Sequence, residues 1–194
     1  MNKIRLEAFS DGVLAIIITI MVLELKVPHS SEWNDLKALL PTFFSYLMSF
    51  IYIGIYWGNH HHLMYAITKV TSGIILANLN LLFWLSLIPF TTAWMGENHF
   101  APNTIALYSI ALLMPAISYT ILQAIVIKHH LHPDEFELAH KKQSKKGKIS
   151  LVCYILSLIF AFITPIVSGI FIVGVALMWI IPDKNIEKQS QITK

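Results

Sequence analysis

Charge is what this sequence has least of, and cysteine comes next. Only 13% of its 194 residues are charged, and a single cysteine, Cys153, sits inside an apolar segment. One cysteine excludes a disulfide within the chain, and in apolar surroundings it reads as a small packing residue. Soluble domains are about a quarter charged and about 45–50% apolar. Here the apolar share is 56% and the mean hydropathy is +0.63, which places the chain in the membrane class. A formal charge of +3 is too small to suggest nucleic acid as a partner. There is no Gly-rich phosphate loop, no nucleophile elbow, no HExxH and no pair of intramembrane carboxylates, so no enzyme constellation emerges and no cofactor is implied. Low-complexity tracts and solenoid-length repeats are absent too.

What the chain does have is long apolar runs. The first, residues 5–25, reads RLEAFSDGVLAIIITIMVLEL and makes a helix of ~31 Å, enough to cross a bilayer. No small-residue cleavage site follows it, so it is expected to be a retained helix rather than a cleavable signal. Further spans are predicted at about 36–59, 74–95 and 104–127, with Pro115 as a kink in the last of these. A hydrophilic stretch, 128–148, is expected to be a basic cytoplasmic loop. From 149 to 182 no residue is charged. A helix over that length would be ~51 Å, far beyond ~30 Å of hydrocarbon. Thr164-Pro165 and Ser168-Gly169 offer the break, giving spans at 149–164 and 166–182 and a frayed polar tail from Asp183.

Six spans in one domain filling 1–194 follow, and the basic residues test that number. With the N-terminus cytoplasmic, the inner segments hold Lys3, Arg5, Lys69, Lys128, five lysines between 141 and 148, Lys184, Lys188 and Lys194. The outer loops hold only Lys26 and Lys37. That asymmetry is what an even number of spans with both termini inside requires; five would leave the basic tail outside. The fold class is an all-α integral membrane protein in the cell membrane.

The polar opening of the first span, Arg5, Glu7, Ser10 and Asp11, carries the chemistry. Arg5, Ser10 and Asp11 are costly inside a span unless they face protein or water. A plain interfacial pair, snorkelling and hydrated, is one reading of Arg5 and Asp11. The other has Ser10 and Asp11 accept hydrogen bonds from neighbouring helices and fix this helix in register. At ~100° per residue, Arg5, Gly12, Ile16, Thr19, Ile20 and Leu23 share an arc of roughly 100°, while Asp11 and Ser10 point elsewhere. On its own, such an aliphatic stripe is more often plain packing.

The second span ends in Trp57, Gly58, Asn59, His60, His61 and His62, read as a polar exit into a short loop. Consecutive helical residues point ~100° apart, so three adjacent histidines cannot converge on one metal, and no further ligand is spaced for it. Hydrogen bonding at a helix end is the better role. His129, His130, His132 and His140 read as a solvated face, Glu24 as a hydrated charge near Lys26, and Trp33, Trp94 and Trp179 as interfacial aromatics.

Taken together, Arg5-Leu-Glu-Ala-Phe9-Ser10-Asp11-Gly12, the Ile/Leu-rich run and ELKVP resemble the first-helix signature of a known family. These are the prokaryotic relatives of the lysosomal potassium channel called transmembrane protein 175. Trp57-Gly58-Asn59-His60-His61 and Leu87-Ile88-Pro89-Phe90 are similar to further family features. The resemblance implies a homotetramer of six-span subunits whose first helices line a pore permeable to potassium, narrowed by aliphatic side chains. Carried onto this sequence, the constriction and selectivity positions are Ile16, Thr19, Ile20 and Leu23. Phe9, Ser10 and Asp11 are then expected to be tied to Trp57, Asn59 and His60, with Asn78 a further candidate. A ring of isoleucines closes a pore by dewetting, and TVGYG, the carbonyl-filter sequence, is absent. The expectation is a hydrophobic gate with modest potassium-over-sodium preference, no cofactor, and lipid and potassium ions as partners. The competing expectation is a proton-coupled or small-solute secondary transporter with Asp11 and His60 as a relay, which would favour inverted repeats. A non-transporting scaffold of packed spans is a third.

Overall fold

The computed structural model describes residues 2–128 and 133–180, and every regular element among them is helical. Helix α1 (Lys3–Met21) is opened by Asn2, whose side chain accepts the Arg5 N–H at 2.9 Å. That satisfies one of the donors a helix start leaves unpaired. A 3₁₀ turn, Val22–Glu24, tightens its end. A short helix, α2 (Trp33–Ala38), precedes α3 (Leu40–Tyr65), and Pro41 stands in the first turn of α3, where a missing N–H costs no helical bond. Thr71 caps α4 (Ser72–Ser86) by accepting the Ile74 N–H. The remaining helices are α5 (Ile88–Glu97), α6 (Pro102–Lys128), α7 (Pro133–Phe160) and α8 (Pro165–Ile180).

Several elements differ from the sequence reading. The run from Trp57 to His62 is not an exit, since α3 continues through it to Tyr65. The predicted span 74–95 is two consecutive helices. Pro89 has no N–H to give to the preceding turn, so the chain restarts with Pro89 in the first turn of α5. Pro115 lies within α6, which runs unbroken from Pro102 to Lys128. The stretch read as a basic loop is helical from Pro133 onward and continuous with the apolar run that ends at Phe160. The chain breaks over 161–164 and α8 starts at Pro165, whereas Ser168-Gly169, the other break that the sequence offered, lies inside α8. Expectations for 129–132 and for the chain after Ile180 lie outside the described residues, as does the side chain of His140.

Among the described residues, 4 stretches are long and apolar enough to cross a membrane: Lys3–Glu24, Leu40–Tyr65, Ser72–Glu97 and Pro102–Lys128; α8 is a shorter apolar helix. Helix α6 is the hub, packed against α4, α5, α7 and α8, while α1 lies on α3, α4 and α5. Between helices in lipid, close packing and hydroxyl bridges matter more than burial from water. Two such bridges stitch the bundle. Ser49 of α3 meets Thr92 of α5 and Tyr108 of α6 at 2.6 and 2.8 Å. Ser157 of α7 meets Ser109 of α6 and Ser168 of α8 at 2.8 and 2.7 Å. Gly96 lets α5 approach α3 so closely that a Cβ there would lie 2.6 Å from the Thr42 Cα.

Candidate functional site

Helix α1 has two faces of opposite character. Leu6, Ser10, Leu14, Ile17 and Met21 recur every three or four residues and are buried against the rest of the subunit. The other face carries Arg5, Gly12, Ile16, Thr19 and Ile20, followed by Leu23 in the 3₁₀ turn, all exposed. Ile16 is 60% and Leu23 76% exposed in the single subunit. The six residues that helical geometry assigns to one arc therefore do stand together, free of intrasubunit packing. The Thr19 hydroxyl donates back to its own helix, to the carbonyls of Ala15 and Ile16 at 2.9 and 3.0 Å. Its oxygen keeps the capacity to accept a further hydrogen bond.

The buried face is held by a directed series of hydrogen bonds. Ser10 donates to the Leu6 carbonyl at 2.9 Å, which leaves its oxygen free to accept. Asn78 of α4 donates through Nδ2 to that oxygen at 2.9 Å. With its amide N–H so used, Asn78 presents Oδ1 to Nε2 of His60 at 2.7 Å. An amide oxygen only accepts, so the imidazole proton belongs on Nε2 and Nδ1 carries a lone pair. Nδ1 is buried and has no partner among the described residues. Ser10, His60 and Asn78 are all buried, so each bond is made where losing it would strand a polar group without water.

A second tie lies at the rim. Trp57, one turn before His61 on α3, donates its indole N–H to Asp11 Oδ1 at 3.1 Å, and its ring stacks against that of His61 at 6.4 Å. His61 in turn faces Glu7, Nδ1 to Oε1 at 3.2 Å. Asp11 is thus anchored by Trp57, and His60 by Asn78. Asp11 and His60 do not hydrogen-bond to one another.

Asn59 turns the other way. It donates to the Ile55 carbonyl at 2.8 Å, accepts from Gln143 of α7 at 2.7 Å, and its own carbonyl accepts the Tyr119 hydroxyl at 3.1 Å. Arg5 and Phe9 are exposed, and the Arg5 side chain forms no hydrogen bond or ion pair among the described residues. No group of three His, Cys, Asp or Glu among the described residues is placed to hold a metal. At the opposite end of α1, Lys26 pairs with Glu97 of α5 rather than Glu24. That hydrogen bond and charge raise the lysine pKa above its ordinary value.

The family model described as "Endosomal/lysosomal potassium channel TMEM175" matches residues 5–89, from Arg5 to the proline that restarts α5. A protein of Chryseobacterium sp. (strain P1-3), named a potassium channel, is 53% identical over 189 residues, covering 97% of both chains. The chain belongs to the TMEM175 family. The crystal structure of a TMEM175 homologue from Chamaesiphon minutus, described as a lysosomal potassium-selective channel homologue, superposes with a TM-score of 0.78 at 28% identity. It covers 91% of this chain and 95% of that one. The human endosomal/lysosomal proton channel TMEM175 is 25% identical over 191 residues, and the match takes in 37% of that longer protein.

Within this TMEM175 chain, the sequence reading gave no role to Gln143, Tyr119 or Glu7, the last named only as part of the polar opening of the first span. Gln143 lies in a lysine-rich stretch with no apolar periodicity, and its partner Asn59 is 84 residues away. Glu7 had a local signal. It sits four residues before Asp11, on the same side of α1, and so is within reach of the helix that Trp57 and His61 share.

Proposed function

We propose that the chain assembles as a homotetrameric, potassium-permeable cation channel of the cell membrane, with six spans per subunit, both termini cytoplasmic and α1 at the central axis. The observation that carries this reading is the division of α1. One face is locked into the subunit through Ser10, Asn78 and His60, and the other offers Ile16, Ile20 and Leu23 to nothing within the subunit. Four copies of that face around an axis form stacked aliphatic rings, which narrow and dewet a pore without charge. Thr19 adds a ring of hydroxyl oxygens that keep accepting capacity, the ligand type that hard monovalent cations prefer. With no carbonyl cage to replace the hydration shell, preference for potassium over sodium is modest.

The names of the bacterial relatives support potassium as the permeant ion, whereas the human relative is named a proton channel. The remaining two spans are the apolar half of α7 and α8. At ~1.5 Å per residue the apolar part of α7, residues 149–160, is ~18 Å long, and the five lysines of 141–148 lie on the helix just before it. The secondary-transport reading needs a relay between Asp11 and His60, and each of these is engaged by a different partner. Channel function is favoured.

The test is potassium flux into proteoliposomes holding the purified protein, followed by reversal potentials in opposed potassium and sodium. Passive flux with a modest potassium preference is expected, and Ile16→Asn should wet the ring, raise flux and weaken the preference. Uptake against a gradient, driven by protons, would replace the channel with a transporter. Unchanged currents in Ile16→Asn would take that residue out of the constriction.

A further inference from the structure

On the side of the subunit away from α1, residues of the helices α3, α6, α7 and α8 line a cleft that opens to the surface. Its inner walls are aromatic, formed by Tyr52, Tyr56, Tyr119 and Tyr154, with Trp179 also on the lining. The polar atoms of the deep part are turned into the protein. The Tyr52 hydroxyl donates to the Ile172 carbonyl at 2.6 Å and that of Tyr119 to the Asn59 carbonyl at 3.1 Å. Gln143 donates to Asn59 at 2.7 Å, and the Trp179 indole donates to Ser150 at 2.9 Å. Ring and aliphatic surface therefore dominates the interior of the cleft, with Thr120, Gln123 and Ser144 also on its lining, and suits a hydrocarbon chain better than a polar solute.

Its lining also carries a charge. Lys148 is exposed and makes no hydrogen bond or ion pair with a described residue, and Lys146 sits over the Trp179 ring at 5.7 Å. Residues 141–148 hold five lysines and no acid. An apolar slot with a cationic group, set between helices where apolar chain gives way to lysines, is complementary to an anionic amphiphile. Basic pockets between spanning helices on the cytoplasmic side take acidic lipid headgroups for this reason.

We propose that this cleft binds one anionic phospholipid of the cytoplasmic leaflet, an acyl chain lying between Tyr52, Tyr56, Tyr119 and Tyr154 and the phosphate meeting Lys148. The site is separate from the exposed face of α1, and its occupancy is read without any ion flux. Asn59 lines the cleft and is the residue before His60, so the lipid lies one residue from the network that holds α1.

Trp179 is a built-in reporter. The full-length protein is reconstituted in phosphatidylcholine vesicles, and its tryptophan fluorescence is titrated with brominated phosphatidylglycerol or brominated phosphatidylcholine. The Trp179→Phe variant identifies the component that comes from the cleft. Phosphatidylglycerol should quench that component with about fivefold higher affinity than phosphatidylcholine, the factor one lysine contributes near a membrane surface. Lys148→Gln, an exposed and conservative change, should remove that preference, so that the two lipids quench with equal affinity. Equal affinity for the two lipids, or a preference that survives Lys148→Gln, overturns the proposal. If chain-free glycerol phosphate displaces the brominated lipid as effectively as phosphatidylglycerol does, the site is a free-anion site and the lipid assignment fails.

Discussion

Asn78 joins three helices with one side chain. It gives its N–H to Ser10 of α1 and its oxygen to His60 of α3, and it is itself on α4. Both partners are fully enclosed, so Asn78→Ala leaves a hydroxyl oxygen and an imidazole N–H without water or protein to meet them. At about 1–3 kcal/mol for each stranded buried group, this substitution should be among the most destabilising single changes in the chain. Trp57→Phe should cost less, because the indole is only half enclosed by the subunit and Asp11 is less buried than Ser10 or His60. Thermal unfolding in detergent would rank the two. A cycle of Ser10→Ala, Asn78→Ala and the double variant should show a coupling of about 0.5–3 kcal/mol. Strict additivity would mean that the Ser10–Asn78 bond does not hold α1 in place.

The α1 stripe was readable at the scale of the element, because helical angles depend only on residue number. The same arithmetic placed Asp11 and Ser10 off that stripe, which is where their partners are found. What the sequence could not convey was which partner each would take. Asn59 and His60 are adjacent, and a 100° step sends one to α7 and the other to α4. The first part of α7, residues 133–148, was misread as a loop because lysines mask its periodicity. Yet Pro133 followed by Asp134 and Glu135 is a helix-start pattern, a proline where no N–H is needed and acids near the positive end of the dipole. At the crossing of α5 and α3 no pattern pointed to Gly96. A Cβ there would sit 2.6 Å from the Thr42 Cα and 2.8 Å from Ser45 Oγ, and the backbone of α3 cannot yield as a side chain would. Gly96→Ala should therefore cost about 1–3 kcal/mol, like other overpacked contacts, despite alanine's better helix propensity. A melting temperature at or above the parent's would show that α5 can slide away from α3 at little cost.

At the scale of the whole molecule, the question is what stands opposite the exposed face of α1. In the proposed tetramer it is three more copies of itself, whereas in a monomeric scaffold it would be lipid. Cysteine chemistry separates the two, since a disulfide forms only when Cα atoms come within about 4.4–6.8 Å. The background is Cys153→Ser, which removes the chain's one thiol. Ile16→Cys or Ile20→Cys, on the outward stripe, should then cross-link between subunits under mild oxidant in vesicles and run as a dimer on a non-reducing gel. Leu14→Cys, buried against the subunit's own core, should remain monomeric. Ile166→Cys on α8, as exposed as the stripe itself but distant from α1, reports on the outer surface and should not cross-link if α1 is central. Cross-linking through Ile166 and not through Ile16 would place α8 at the subunit interface and α1 against lipid. The aliphatic rings would then not exist, and the ion path would have to be sought along another helix.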